Sequence, residues 1–314
     1  MPSSMRKIDR SGFKLTNTDV IKNKITIAIK QITYPNDNLI FINQMISLSK
    51  LLMMYDLSFS TQYKDIDKKA QDPTYFAAAF FDTNDIDQAL SVHRLVRLLT
   101  RYILLYDKFF ESGERKYKLV ARKVRRSIND QIANSDYKSL LEYTIDSSLK
   151  QFWEFWNFEK IVKARILAGH TFSYKEIRNF NQLKSSDASV VYTMVLDAAL
   201  PNFNKNTSLI FHYNQALLDL LDDWEDIEDD VQGDMPNVFV MASLGIVPYH
   251  ELKKSSPGRI RSNILKALDS SSASVTTLVN EYQSSVRNIS IPDEFGFLKA
   301  VSDYHANSIK KSIL

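Results

Sequence analysis

Helix-breaking residues are scarce along this chain, and their positions limit its fold more than any other sequence feature. Among 314 residues there are only 7 Gly and 8 Pro, against average usage of about 7% and 5%. The prolines stand at 2, 35, 73, 201, 236, 248, 257 and 292, between or at the ends of periodic apolar segments, where helices accept them. Folds with many tight turns need more of both residues. The chain therefore reads as all-α, with helices over about 18–32, 38–56, 73–81, 86–112, 116–132, 137–168, 174–200, 208–232, 236–244, 259–286 and 293–313. Leu90, Leu95, Leu98, Leu99, Ile103 and Leu104 mark the apolar stripe of one long helix. Asp85 reads as its N-cap. Stretches 202–208 and 253–258 read as surface loops. No linker or fixed-period repeat divides the sequence, so one domain over 1–314 is the simplest organisation.

Composition then removes function classes. With no cysteine, disulfide frameworks and thiolate metal sites are excluded. No apolar run approaches the roughly 20 residues of a membrane span. The N-terminus MPSSMRKIDR lacks the apolar core of a secretory signal. A cytoplasmic protein is the expectation. The net charge of +3 hides strong segregation. Residues 115–126 hold Arg115, Lys116, Lys118, Arg122, Lys123, Arg125 and Arg126, whereas 219–230 hold eight acids.

The acidic segment, LLDLLDDWEDIEDDVQGDMPN over 217–237, is the most informative. Asp222, Asp226 and Asp230 recur at i, i+4 and i+8, on one helical face, with Asp219 and Asp223 a step to the side. Like charges four apart destabilise a helix by about 0.2–0.5 kcal/mol per pair. The apolar flanks Leu217, Leu218, Leu220 and Leu221, continued by Trp224 and Ile227, draw the segment toward a core. Such a conflict marks a functional site, and oxygen-only donors suit a hard cation, magnesium before zinc. An EF-hand loop is excluded, because Gly233 is out of place for one.

DDWEDIEDDVQGDMPN resembles the second metal-binding motif of class I terpenoid synthases. Terpene cyclases carry acidic or hydroxyl ligands at this i, i+4, i+8 spacing, often followed by Gly-Asp and Asn. Gly233, Asp234 and Asn237 supply these one residue early. Asp222 and Asp226 also match the D-x-x-x-D of squalene and phytoene synthases, and DDWED is literally the D-D-x-x-D of chain-elongating prenyltransferases. The resemblance implies a bundle of about ten or more antiparallel helices around a central apolar cavity. It also implies Mg²⁺ and a C15 or C20 prenyl diphosphate substrate, ionised and most simply cyclised. Head-to-head coupling comes second and chain elongation third.

The family further requires an upstream acidic motif. Asp107 and Glu111, one turn apart in LLYDKFFESGE, are the first choice, and Asp82, Asp85 and Asp87 the rival. By the same resemblance, Arg178, Lys175, then Lys184 and Lys310 are diphosphate-binding candidates. Arg94, Arg97 and Arg101 are further cations, either diphosphate contacts or a wet helix face. Tyr304, Lys310 and Lys311 occupy the C-terminus without the Arg-Tyr pair that cyclases often use. A carbocation needs a dry pocket with ring faces. Phe110, Trp153, Trp156 and Tyr192 are candidates to line it, alongside Phe152, Phe155 and Phe158 and, further away, Phe80, Phe81 and Phe109.

A rival of another class is a non-catalytic helical protein whose acids bind a basic partner. A nucleic-acid partner is set aside, since the basic segment offers Tyr117 alone for stacking. Peripheral membrane contact and a homodimer stay open. A di-iron bundle is excluded because no paired Glu-x-x-His motifs occur.

Overall fold

The computed structural model describes residues 11–32, 38–55, 63, 66, 70, 73–83, 85–133, 138–200, 202–270 and 275–313. Among them every regular element is helical. The order is α1 (Ser11–Lys30), α2 (Asn38–Tyr55), α3 (Pro73–Thr83), α4 (Ile86–Ser112), α5 (Arg115–Ala133), α6 (Lys138–Leu167), α7 (Tyr174–Ala199), α8 (Lys205–Glu225), α9 (Ile227–Gly233), α10 (Val238–Ser243), α11 (Tyr249–Lys254), α12 (Pro257–Ser270) and α13 (Val275–Asn288). A 3₁₀ turn (Asp293–Phe295) and α14 (Phe297–Ile313) complete it. None of these helices is long and apolar enough to cross a membrane.

The chain divides into two compact units, Met1–Ser127 and Ile128–Leu314. In the first, α1 packs on α2, α2 on α3 and α3 on α4. Phe76 and Phe80 of α3 are buried, and the Phe76 ring meets the His93 ring edge-on at 5.6 Å. The long helix α4 has the bounds its periodicity predicts, and chemistry sets both ends. Asp85 accepts from the backbone N–H groups of Asp87 and Gln88 at its start. Gly113 closes it at φ 71°, a left-handed conformation that glycine adopts at little cost, and donates to the Phe109 carbonyl.

In the second unit, α6 packs on α7, α7 on α8, and α8 on α13 and α14. Phe180, Leu217, Leu220, Ile227, Phe239 and Tyr282 are completely buried at its core. Polar ties fix the packing: Asn214 of α8 donates to the Leu298 carbonyl at 3.1 Å, and Asn181 of α7 to the Ala216 carbonyl at 3.4 Å. At the start of α7, Ser173 and Glu176 form a reciprocal capping box. Arg165 and that cap hold the Glu176 carboxyl down at about 2.

Three elements differ from their sequence expectation in this unit. The single helix expected over 259–286 is two helices, α12 and α13. The helix expected over 208–232 is interrupted at Asp226, whose φ and ψ of −92° and 5° end α8 and begin α9. The stretch after Pro248, which shows no extended apolar stripe, forms the one-and-a-half-turn helix α11.

Candidate active site: an acidic kink beside a buried aspartate

The acidic segment crosses the α8–α9 junction. The i→i−4 bonds persist on both sides of the break: Asp226 N–H donates to the Asp222 carbonyl and Asp230 N–H to the Asp226 carbonyl, each at 2.8 Å. Asp222, Asp226 and Asp230 therefore keep successive-turn register, while the kink leaves Asp226 exposed between two half-buried neighbours. Arg261 of α12 braces the bend. It stacks on Trp224 with 4.9 Å to the ring centroid, donates to the Glu225 carbonyl at 3.2 Å, and lies 3.6 Å from Glu228.

The strongest electrostatic contact lies a step around the helix, at Asp223, which is 1% exposed. Lys184 of α7 donates to its Oδ1 at 2.5 Å and the Val238 N–H to its Oδ2 at 2.8 Å. Burial alone would pull the Lys184 ammonium down. The surrounding charges of Asp223, Asp219 and Asp230 outweigh that and raise it above the ordinary lysine range. Sequence reasoning placed Lys184 among diphosphate ligands and Asp223 to the side. In the structure they form one ion pair, with Asp223 buried and Lys184 half-buried. The signal was present: Ala216, Leu220, Asp223 and Ile227 follow 4-3-4 spacing, so Asp223 falls on the buried face.

Asp219 and Asp230 flank this pair. Desolvation pushes Asp219 up to about 6 against the pull of Lys184, and its Oδ2 is buried with no hydrogen-bond partner. Desolvation likewise raises Asp230 to about 7, opposed by a hydrogen bond from Asn237 and reinforced by the Asp223 charge. The Asn237 amide donates both to Asp230 Oδ2 at 2.8 Å and to the Asp223 carbonyl at 2.6 Å. Its own oxygen accepts from Phe239 and Val240, capping α10. Asp234 adopts the left-handed conformation, φ 57°, that ends α9. It accepts from the Tyr249 hydroxyl at 2.9 Å and from Lys253 at 2.7 Å. Lys253 also takes the Val231 and Gln232 carbonyls, so α11 exists to close the end of α9. The Gly-Asp…Asn tail of the motif is thus a brace for the acids.

The remaining candidates have definite places. Arg178 pairs with Glu281 of α13 at 2.5 Å, and the Tyr174 hydroxyl donates to the same carboxylate. Lys175 is exposed. Lys310 donates to Gln283 at 2.8 Å, and Gln283 in turn donates to Asp303. Trp156 lies beneath the Lys160 ammonium at 3.6 Å. Trp153 is 37% exposed, while Phe155 and Phe158 pack against Phe180. The side chain of Tyr192 lies outside the described residues.

In the first unit, Asp107 is half-buried and Glu111 exposed near the end of α4. Lys108 pairs with Glu111 at 2.7 Å. Phe110 packs against Phe109 and Tyr106. In the rival stretch Asp85 is the N-cap already described, and Asp87 pairs with Lys22 of α1. Arg97 is 1% and Arg101 9% exposed, so these two do not form a wet helix face.

The acidic donor set suits magnesium. Among the described residues no three Asp, Glu or His side chains form a ready-made cage. Mg²⁺ does not demand one, since it keeps several waters and typically takes about one or two carboxylates plus substrate phosphates. Oxygen-only chemistry, an unsatisfied buried Asp219 oxygen and desolvated Asp230 all favour a hard cation nearby.

No protein-family model matches the chain, and no curated protein matches it by sequence. Solved structures do match. A polyprenyl synthase of Roseobacter denitrificans superposes over 95% of this chain and 97% of its own, with a TM-score of 0.56 at 11% identity. The chain has the class I isoprenoid synthase fold. A polyprenyl synthetase of Streptomyces coelicolor A3(2) covers 92% of this chain and 98% of its own, TM-score 0.54, identity 10%. A geranylgeranyl pyrophosphate synthetase of Geoglobus acetivorans covers 94% and 98%, TM-score 0.51, identity 12%. The all-α expectation is borne out, and the fold is the one that the resemblance implied.

Proposed function

We propose that the protein is a magnesium-dependent isoprenoid synthase, one domain over 1–314, that ionises a prenyl diphosphate. The observation that carries this reading is the conjunction of that fold with the kinked acidic segment. Three turn-spaced carboxylates stand there beside the ion pair of Lys184 with the buried Asp223. Asp222, Asp226 and Asp230 are the metal-holding residues of this reading, and Asp107 and Glu111 its other carboxylate pair. Magnesium held by them would neutralise the charge that develops on the departing diphosphate. Lys184 pairs with the buried Asp223 carboxylate beside the kink. Asn237 fixes the Asp230 carboxylate. Arg178, Lys175 and Lys310 are the cations offered to the diphosphate, and Phe110, Trp153, Trp156 and Tyr192 the ring faces offered to the carbocation.

Cyclisation is the leading branch, because the i, i+4, i+8 triad and its Gly-Asp tail look most like those of cyclases. Chain elongation is favoured by a separate observation: the superposing proteins are named as polyprenyl and geranylgeranyl synthases. Incubation with farnesyl or geranylgeranyl diphosphate and Mg²⁺, with and without a five-carbon prenyl diphosphate, separates the two. A hydrocarbon or alcohol made from the long diphosphate alone means cyclisation. A longer diphosphate made only with the five-carbon partner means elongation. No consumption under any of these conditions contradicts the reading.

A further inference from the structure

Helix α5 carries the most concentrated charge of the first unit. Between Arg115 and Arg126 there are seven cations and no acid. The helix buries Ala121 and Val124 on one face. At 100° per residue, Arg115, Leu119, Arg122 and Arg126 fall together on the opposite face, with Lys116 and Lys123 on one flank and Lys118 on the other. Arg115, Arg122, Lys123 and Arg126 are exposed. They have no ion-pair partner among the described residues. Of the acids just before the helix and at its start, Glu114 pairs with Lys116 on the flank at 2.6 Å and Glu111 with Lys108. Leu119 sits in the middle of the charge and is 57% exposed. Beside it opens a groove of about 650 Å³ lined by Phe109, Gly113, Arg115, Lys118, Leu119 and Arg122.

We propose that the outer face of α5 and this groove dock the protein on an anionic lipid surface. The cations run along about 16 Å of helix, too far apart to converge on one small phosphate ligand. An exposed leucine at the centre of a basic face, next to a groove that Phe109 helps to line, is the pattern of helices that lie in a membrane interface. Base stacking has no platform here. Tyr117 is turned toward Tyr63, 6.1 Å between ring centroids, and Phe109 lies under the Lys118 ammonium at 5.2 Å. The inference rests on α5 and its surroundings alone and stands whether or not the proposed reaction is correct.

Co-sedimentation of the full chain with phosphatidylcholine vesicles, with and without phosphatidylglycerol, tests it. Binding is expected only with the anionic lipid and should be lost at high salt. Each basic residue near such a surface contributes about 1 kcal/mol, roughly fivefold in partitioning. The R122Q/K123Q/R126Q variant should therefore bind roughly a hundredfold more weakly, with its far-UV circular dichroism unchanged. Leu119→Ser should weaken binding without altering the salt dependence. The proposal is overturned if the wild type ignores both vesicle types, binds both equally, or binds through high salt. It is equally overturned if it binds single-stranded RNA but not vesicles, or if the triple variant binds as the wild type does.

Discussion

Asp223 shows what one side chain can do to a local charge conflict. Eight acids in twelve residues are tolerated because the most buried of them is matched by Lys184 and by a backbone N–H. Breaking a buried ion pair from one side costs about 3–5 kcal/mol, because the other charge is left in a poor solvent. Lys184→Met should therefore destabilise the protein by about that amount in chemical denaturation. An unchanged midpoint would show that Asp223 is solvated after all. The pH response belongs to the same residues. Asp219 and Asp230 titrate higher in the folded protein than their ordinary value of 3.8, at about 6 and 7. The folded state then holds more protons than the unfolded one between about pH 4 and 7, so stability falls as pH rises through that window. Asp230→Asn should flatten the slope of melting temperature against pH in metal-free buffer. A slope identical to wild type would mean that Asp230 is not the group responsible.

At the scale of elements, the acidic kink is held from behind by two devices. Asn237 caps α10 and ties both Asp223 and Asp230. Lys253 and Tyr249 close α9 through Asp234. Loss of a side-chain cap costs about 1 kcal/mol, and an unsatisfied buried polar group about 1–3 kcal/mol more. Asn237→Ala should accordingly cost about 2–4 kcal/mol in denaturant. A change within experimental error would remove Asn237 from this account. These elements also show what could be read from sequence. Helix α4 was legible at both ends, because an Asp cap and a glycine stop flank a clean apolar stripe. The break at Asp226 was not. The i→i−4 bonds continue across it, so the apolar spacing that marks a helix is barely disturbed, and the bend is held by Arg261, 35 positions along the chain. Helix α11 was hidden because two bonding side chains, rather than an apolar stripe, give it its purpose. The pairing of Lys184 with Asp223 was not legible, since the two residues are 39 positions apart.

At the scale of the whole molecule, the scarcity of glycine and proline already dictated long helices, and the acidic motif pointed to one superfamily. The solved structures agree with that fold over more than nine-tenths of the chain at 10–12% identity. Fold is conferred here by the spacing of apolar residues, which survives when nearly every individual residue differs. The proposed reaction would depend on a few carboxylates instead, so it must be tested at them. The most direct measurement is diphosphate release from farnesyl and geranylgeranyl diphosphate with Mg²⁺ or with EDTA, comparing wild type, Asp222→Ala and Asp226→Ala. Removing one electrostatic stabiliser of a developing negative charge typically costs about 10²–10³ in rate. Release that requires Mg²⁺ and falls by that order in both variants is the predicted result. Release that persists in EDTA, or that both variants retain, or no release from either substrate by the folded wild-type protein, would contradict the account.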